Sequence, residues 1–290
     1  SKIAAKKEFE ELTLDASETL PVRGKYFKHQ IVGTRIAMIY DRILNVSQSG
    51  TGKSCTITSI AEHLKNLYYA NPEDKTVIKK AFVLIKNSFL KQNIISQITC
   101  SCTDRIYENE SVRNAPDEKS MKAAVNKLLK DWYNIFTYYE FAKKIRSFIH
   151  EDDLEDFMSN IVIFVDEIHN VVTLKDISRA QIEIEDLDET DLDLTKESVY
   201  DTLFRAFHKG KRNKIYGFTA TPMINKPADI RPLINLFLPD VEGKRMPNFT
   251  DEQLDTITLE QIQKYFLGIV LYVDSFDTGV VAVSPENAVN

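Results

Sequence analysis

Ser47-Gln48-Ser49-Gly50-Thr51-Gly52-Lys53-Ser54 sets small residues, two glycines, a lysine and a final hydroxyl in an order suited to holding a triphosphate. Backbone N–H groups of Gly50 to Ser54 can turn inward around phosphate oxygens, and a helix opening near Lys53 adds the positive end of its dipole. Gly50 and Gly52 carry no Cβ, so the chain can bend closely around the ligand. Lys53 would neutralise the β- and γ-phosphates of ATP, and the Ser54 hydroxyl would coordinate Mg²⁺. Such loops usually begin with glycine; here Ser47, another small residue, takes that place. A chance Gly/Ser turn is the plain alternative, and the strand-like run before the loop and helical pattern after it argue against that reading.

Asp166-Glu167-Ile168-His169 follows the apolar run Ile161–Val165. A carboxylate at the C-terminal end of a buried parallel strand lies beside a phosphate loop. Asp166 is then expected to hold Mg²⁺ through water, and Glu167 to orient or deprotonate the attacking water. Thr219-Ala220-Thr221 follows a further strand-like run. The hydroxyls of Thr219 and Thr221 suit a hydrogen bond to His169, a link that would carry the nucleotide state across the sheet; a simple turn before Pro222 is the alternative. Gln30, about one helix ahead of the loop, can donate to and accept from the polar edge of adenine. An ordinary surface glutamine is the competing reading.

These residues need strands to present them, and the pattern supplies strands alternating with helices. Ile31–Leu44 is close to helical spacing and runs into a short strand, Ile43–Val46. Cys55–Tyr69 has helical periodicity ended by Asn71-Pro72. Ala81–Ile85 and Ile161–Val165 are compact apolar runs of the kind that form buried parallel strands. Leu90–Cys100, Met121–Tyr133, Tyr139–Ile149, Val199–His208, Ile230–Leu238 and Leu259–Phe266 read as helices. Phe136–Tyr138 reads as a strand end and Lys214–Phe218 as a strand, while Asp104–Lys119 reads as a loop and 268–283 as strand-rich. The expected fold is α/β, a doubly wound and mostly parallel sheet with helices on both faces.

The 290 residues are enough for one large domain or two small ones, and a 43% apolar content supports a real core. A net charge of −6 disfavours a general basic coat for nucleic acid but leaves room for a local basic strip. Cys55, Cys100 and Cys102 form no disulfide framework by spacing and are expected to be reduced thiols of an intracellular protein. No apolar run is long enough to span a membrane. The chain opens at Ser1 without an initiator Met or signal-peptide pattern, as expected of an excised piece or processed product. Residues 1–25 read as a polar lead-in. In the run Glu183–Asp193, within an insert of about 180–195, seven of eleven residues are acidic, which suits a solvated segment.

Taken in order, Gln30, Ser49–Ser54, Asp166–His169 and Thr219–Thr221 resemble an adenine-reading glutamine and motifs I, II (the DExH form) and III of a superfamily-two helicase. The resemblance implies a first RecA-like, P-loop NTPase domain over 26–245, with 246–290 leading towards a second such domain. Leu84–Asn87, Cys100–Thr103, Phe136–Phe141, Thr219–Asn225 and Leu233–Pro239 are further similar to segments of the transcription NTPases of poxviruses and other large cytoplasmic DNA viruses. That family implies ATP hydrolysis with Mg²⁺, coupled to DNA, in the host cytoplasm or virion. Its partners would include RNA polymerase subunits or a second transcription-factor subunit. By analogy, Lys86, Asn87, Ser88, Thr103, Thr137 and Tyr138 would meet the nucleic-acid backbone, solvated loop residues being the alternative. Arg205, Arg212 and Arg231 lie inside the first domain and are poor arginine fingers, so slow hydrolysis is expected of this chain alone. A chromatin-remodelling-like or restriction-type translocase and a degenerate ATPase-fold scaffold are the competing readings. The intact Lys53, Ser54, Asp166 and Glu167 speak against the scaffold.

Overall fold

The computed structural model describes residues 26–173, 198–223, 230–249, 253, 257–273 and 280–282. The expected lead-in at 1–25 and the acidic insert lie outside them, as do Ile224 and Asn225. The described elements run α1 (Lys28–Ile39), β1 (Arg42–Ser47), α2 (Lys53–Ala70), β2 (Lys80–Ile85), α3 (Phe89–Ser96), a π-helical turn (Gln97–Ser101), α4 (Glu110–Arg113) and α5 (Glu118–Lys130). They continue β3 (Tyr133–Thr137), α6 (Tyr138–Arg146), α7 (Glu151–Phe157), β4 (Ile161–Val165), α8 (His169–Thr173), α9 (Val199–Lys209), β5 (Lys214–Thr219), α10 (Ile230–Asn235), α11 (Leu259–Gln263), β6 (Val270–Val273) and β7 (Val280–Ala282).

The sheet order is β3-β2-β4-β5-β1-β6-β7, and every pairing is parallel except β6 with β7. β2, β4 and β5 are buried almost throughout, because helices cover both faces. One apolar cluster, on one face, joins Leu84, Ile163, Val165, Leu203, Phe207 and Phe237; the other joins Ile57, Ile60, Val83, Phe164, Phe218 and Trp132. This is the RecA-like α/β fold expected of the sequence. The parallel order puts the C-terminal ends of β1, β2, β4 and β5 along one edge of the sheet, where the loops carrying Ser47–Ser54, Lys86–Ser88, Asp166–His169 and Thr219–Thr221 all emerge.

Several local expectations change. Met121–Tyr133 is not one helix: α5 ends at Lys130, and Tyr133 begins β3, where it pairs with Ala81. The apolar spacing carries on through Trp132 and Tyr133 because both are buried beside β2. The Asp104–Lys119 loop contains the short helix α4, with the Asn109 side chain capping it through the Val112 N–H. The expectation of three reduced cysteines is also corrected. Cys55 and Cys102 form a disulfide, with Cα atoms 5.1 Å apart, while Cys100 is free and exposed. The π-helical turn brings Cys102 over the first turn of α2, a long-range approach that spacing does not reveal. Deeper in α2, the buried Glu62 carboxylate accepts from the Tyr107 hydroxyl at 2.5 Å and the Tyr133 hydroxyl at 2.7 Å. Together these contacts tie the helix behind the Ser47–Ser54 loop to the β2–β3 connection. Among the described residues, no helix is long and apolar enough to cross a membrane.

Candidate functional site

β1 delivers Ser47 to the sheet edge, and the chain then folds back into α2. Gly50 and Gly52 adopt φ of +85° and +79°, the left-handed region that glycine enters without strain. Gly52 is the N-cap of α2 and has no side chain to bond the helix's first N–H groups, so those of Lys53 and Ser54 stay available to an anion, while the Cys55 N–H donates to the Gly52 carbonyl at 2.9 Å. Thr51 closes the loop on itself, with its hydroxyl donating to the Gln48 carbonyl at 2.8 Å. Ser49 and Gly50 are exposed at the tip. Ser47 is 3% exposed, and its Oγ has no hydrogen-bond partner, a buried polar atom next to the space the loop encloses.

α1 braces this loop from behind. The Gln30 Nε2–H donates to the Gly52 carbonyl at 3.1 Å, and Gln30 Oε1 accepts from the Phe27 N–H at 2.9 Å. A Cβ on Gly52 would come within 2.4 Å of Gln30 Nε2. Gln30 is buried, so its amide is committed to the loop as the structure stands, with one N–H and one lone pair still free. The sequence reading missed His29, whose Nε2 lies 2.7 Å from the Thr51 carbonyl and whose ring stacks on Phe27. The adjacent His29-Gln30 pair was the available signal: consecutive helix residues grip consecutive loop carbonyls.

Lys53 reaches across to motif II. Its Nζ is 3.5 Å from Glu167 Oε1 and 3.4 Å from the Ser47 carbonyl, and its side chain is 12% exposed. Asp166 and Glu167 follow β4, with the Asp166 N–H donating to the Leu84 carbonyl and the Ile168 N–H to the Phe218 carbonyl, both at 2.9 Å. Glu167 has φ +49°, a conformation that costs a non-glycine residue about 1–3 kcal/mol unless its surroundings impose it. His169 Nδ1 lies 2.8 Å from Thr219 Oγ1 and 3.4 Å from Glu167 Oε2, and the Thr221 N–H donates to Thr219 Oγ1 at 3.0 Å. The three residues picked out for coupling are therefore in contact, next to Glu167. Burial keeps the His169 imidazole below its ordinary value; Glu167 opposes this, while Lys86 and Lys53 add to it.

Burial, and then the neighbouring Glu167, push the Asp166 carboxyl up to about 6, against the pull of Lys53. A folded value above the unfolded one, about 3.9, means that the folded state holds the extra proton between these values. The stability this group contributes is complete below about pH 4 and is lost as pH rises through 6. Asp166→Asn is accordingly expected to raise the melting temperature by about 2–6 °C at pH 7 without nucleotide, while abolishing magnesium-dependent nucleotide binding. Thermal melts with and without Mg–ATP check both; an unchanged or lower melting temperature at pH 7 contradicts the first.

The six residues singled out for nucleic acid divide. Lys86 and Ser88 are exposed at the end of β2, and Asn87 Oδ1 is buried without a hydrogen-bond partner. Thr103 is fully buried and donates to the Ile98 carbonyl at 2.6 Å. Thr137 is buried as the N-cap of α6, in a reciprocal capping box with Glu140. Tyr138 is 1% exposed, and its hydroxyl donates to the Asp166 and Glu167 carbonyls. The hydroxyls of Thr103 and Tyr138 thus face protein carbonyls rather than solvent. A separate cavity of about 620 Å³, lined by Ile95, Cys100, Tyr107, Val112, Met121 and Val125 among others, takes in none of Ser47–Ser54, Asp166–His169 or Thr219–Thr221.

The donor set fits Mg–ATP. Two left-handed glycines open the loop, a lysine stands over it, and Ser54 and Asp166 offer two oxygens. Magnesium keeps several waters and takes one or two protein oxygens along with phosphate oxygens.

The family model described as Type III restriction enzyme, res subunit, matches residues 31–224. The protein named helicase 087L of Invertebrate iridescent virus 3 is 29% identical over 240 residues, covering 80% of this chain and 22% of its own length. The protein named ATP-dependent RNA helicase R563 of Acanthamoeba polyphaga mimivirus is 24% identical over 75% of this chain and 32% of its own length. That named helicase 009L of Frog virus 3 is 24% identical over 69% of this chain and 18% of its own. The chain therefore spans a third or less of these relatives. Among solved structures, the Sulfolobus solfataricus SWI2/SNF2 ATPase core in complex with dsDNA aligns with a TM-score of 0.51 and 13% identity, over 91% of this chain and 47% of that one. That likeness is one of fold.

Proposed function

The chain belongs to the type III restriction enzyme, res subunit, family, as a superfamily-two DExH-type helicase/ATPase domain related to helicases of large DNA viruses, and from that premise we propose that it binds Mg–ATP at Ser47–Ser54 and hydrolyses it in step with nucleic acid. The observation that carries the reading is the 3.5 Å approach of Lys53 Nζ to Glu167 Oε1, which brings the loop's cation and the strand-end acid to one point.

When bound, Mg–ATP supplies the phosphoanhydride bond that is cut and a metal that offsets charge on its oxygens. The residues divide the remaining work. Backbone N–H groups of Gly50 to Ser54 hold phosphate oxygens, and Gln30 with its remaining N–H and lone pair faces the base. Ser54 and Asp166 hold the metal. Lys53 exchanges its carboxylate partner for phosphate oxygens, which frees Glu167 to orient water and take its proton. Through the contact of His169 with Thr219, whose hydroxyl also accepts from the Thr221 N–H, the protein senses that exchange on the far side of β5.

In this reading residues 26–245 form the first of two RecA-like domains, and 246–290 lead towards the second. DNA runs over the sheet edge at Lys86, Asn87 and Ser88. The setting is viral transcription in the host cytoplasm or virion, alongside polymerase subunits. The family match favours one further reading, a restriction-type DNA translocase, with the same site chemistry. ATPase assays with saturating double-stranded DNA, single-stranded DNA or RNA test the proposal. Stimulation by DNA is expected, and the absence of stimulation by any nucleic acid in a protein that carries both domains would favour a scaffold instead.

A further inference from the structure

We infer that Tyr138 and Asn170 are positioning residues that hold the Glu167 peptide in the conformation needed to aim its carboxylate. The inference rests on the reading of Glu167 as the residue that activates water.

The Glu167 carbonyl accepts three hydrogen bonds: from the Asn170 N–H at 2.9 Å, the Asn170 Nδ2–H at 3.0 Å and the Tyr138 hydroxyl at 3.2 Å. The same hydroxyl also bonds the Asp166 carbonyl. Tyr138 thus bonds both successive carbonyls of the acidic pair, from the adjoining β3–α6 corner. Its ring is locked in the core beside Phe141, Ile163 and Val165, so the hydroxyl has little freedom to follow a moving peptide.

The geometry needs such a clamp. A glutamate at φ +49° is not where the backbone would rest on its own, and relaxing φ turns the residue about its N–Cα bond relative to the preceding peptide, whose carbonyl is that of Asp166, which re-aims the Cα–Cβ bond. With the Asp166 carbonyl held by Tyr138 and the Glu167 carbonyl by Tyr138 and Asn170, the peptides on both sides of Glu167 resist that turn. The corner carrying Tyr138 is itself anchored: Lys91 of α3 pairs with Glu140, and Glu140 caps the helix that Tyr138 begins. The ion pair, the cap and the covalent step from Thr137 to Tyr138 therefore connect the helix behind Lys86–Ser88 to the acid at the centre of the site.

Tyr138→Phe keeps the ring and removes only the donated proton. In the 290-residue chain, single-turnover ATP hydrolysis is expected to slow about tenfold, with Mg–ATP affinity unchanged within about twofold. In a Glu167→Gln background the same substitution is expected to cause no further loss, because it acts through the residue already disabled. If Tyr138→Phe does not fold, Asn170→Ala makes the same test on the same carbonyl. Unchanged hydrolysis in the substituted chain overturns the inference, as does a loss that adds fully to that of Glu167→Gln or one that appears equally in nucleotide affinity. If Glu167→Gln alone leaves hydrolysis intact, the role given to Glu167 fails and takes the inference with it. A neutral Tyr138→Phe beside an inactive Glu167→Gln removes the clamp alone.

Discussion

Glu167→Gln is expected to slow ATP hydrolysis by ~10²–10⁴-fold while Mg–ATP binding is kept or strengthened. The amide keeps the shape of the side chain and loses the capacity to take a proton. Binding is helped because Lys53 stands 3.5 Å from the Glu167 carboxylate, so any phosphate must first draw the lysine away from it. With glutamine in place the lysine has no charged partner to leave. Asp166 benefits as well, since the Glu167 charge is one cause of its raised carboxyl, and metal binding should extend to lower pH. Single-turnover hydrolysis with a parallel nucleotide titration separates the two effects. Turnover equal to that of the unsubstituted chain would remove Glu167 from the chemistry.

Lys53→Ala has the second large effect and fails in the opposite pattern. Loss of the cation is expected to weaken Mg–ATP binding by ~10–100-fold and to reduce hydrolysis by ~10²–10³-fold, the range for removing one charged donor aimed at a phosphoryl group. Asp166 then loses the positive side chain that lowers its carboxyl, so the pH at which metal-dependent binding appears should move up from about 6. A nucleotide titration across pH 5 to 8 reads both changes. A loss of affinity with no upward shift would mean that Lys53 is not felt at Asp166.

The Ser47–Ser54 loop was legible in the sequence because its pattern is local: eight consecutive residues, between a strand and a helix, contain the glycines, cation and hydroxyl. Asp166 and Glu167 were legible because an apolar run such as Ile161–Val165 points to a buried strand, and a parallel sheet collects strand ends at one edge. The contact of His169 with Thr219 followed from the same rule. The support around these residues was not legible, because it depends on which side chains turn under the surface. Tyr138 and Thr103 sit in segments that suggested exposed polar contacts, yet each is folded inward onto a carbonyl. Periodicity could not divide α5 from β3, since Trp132 and Tyr133 are apolar in either state. Nor could spacing pair Cys55 with Cys102, because the π-helical turn that makes them neighbours has no sequence signature of its own.

Hydrogen exchange followed with and without Mg–ATP reads the proposed site residue by residue. Slowed exchange is expected at the backbone amides of Gly50, Thr51, Gly52, Lys53 and Ser54, with a smaller change at Asp166 and Glu167, and it should vanish when magnesium is withheld or Lys53 is replaced by alanine. Saturable ATP binding that leaves these amides unchanged, or that protects instead the cavity lined by Ile95, Val112 and Met121, would contradict the assignment of Ser47–Ser54 as the nucleotide site.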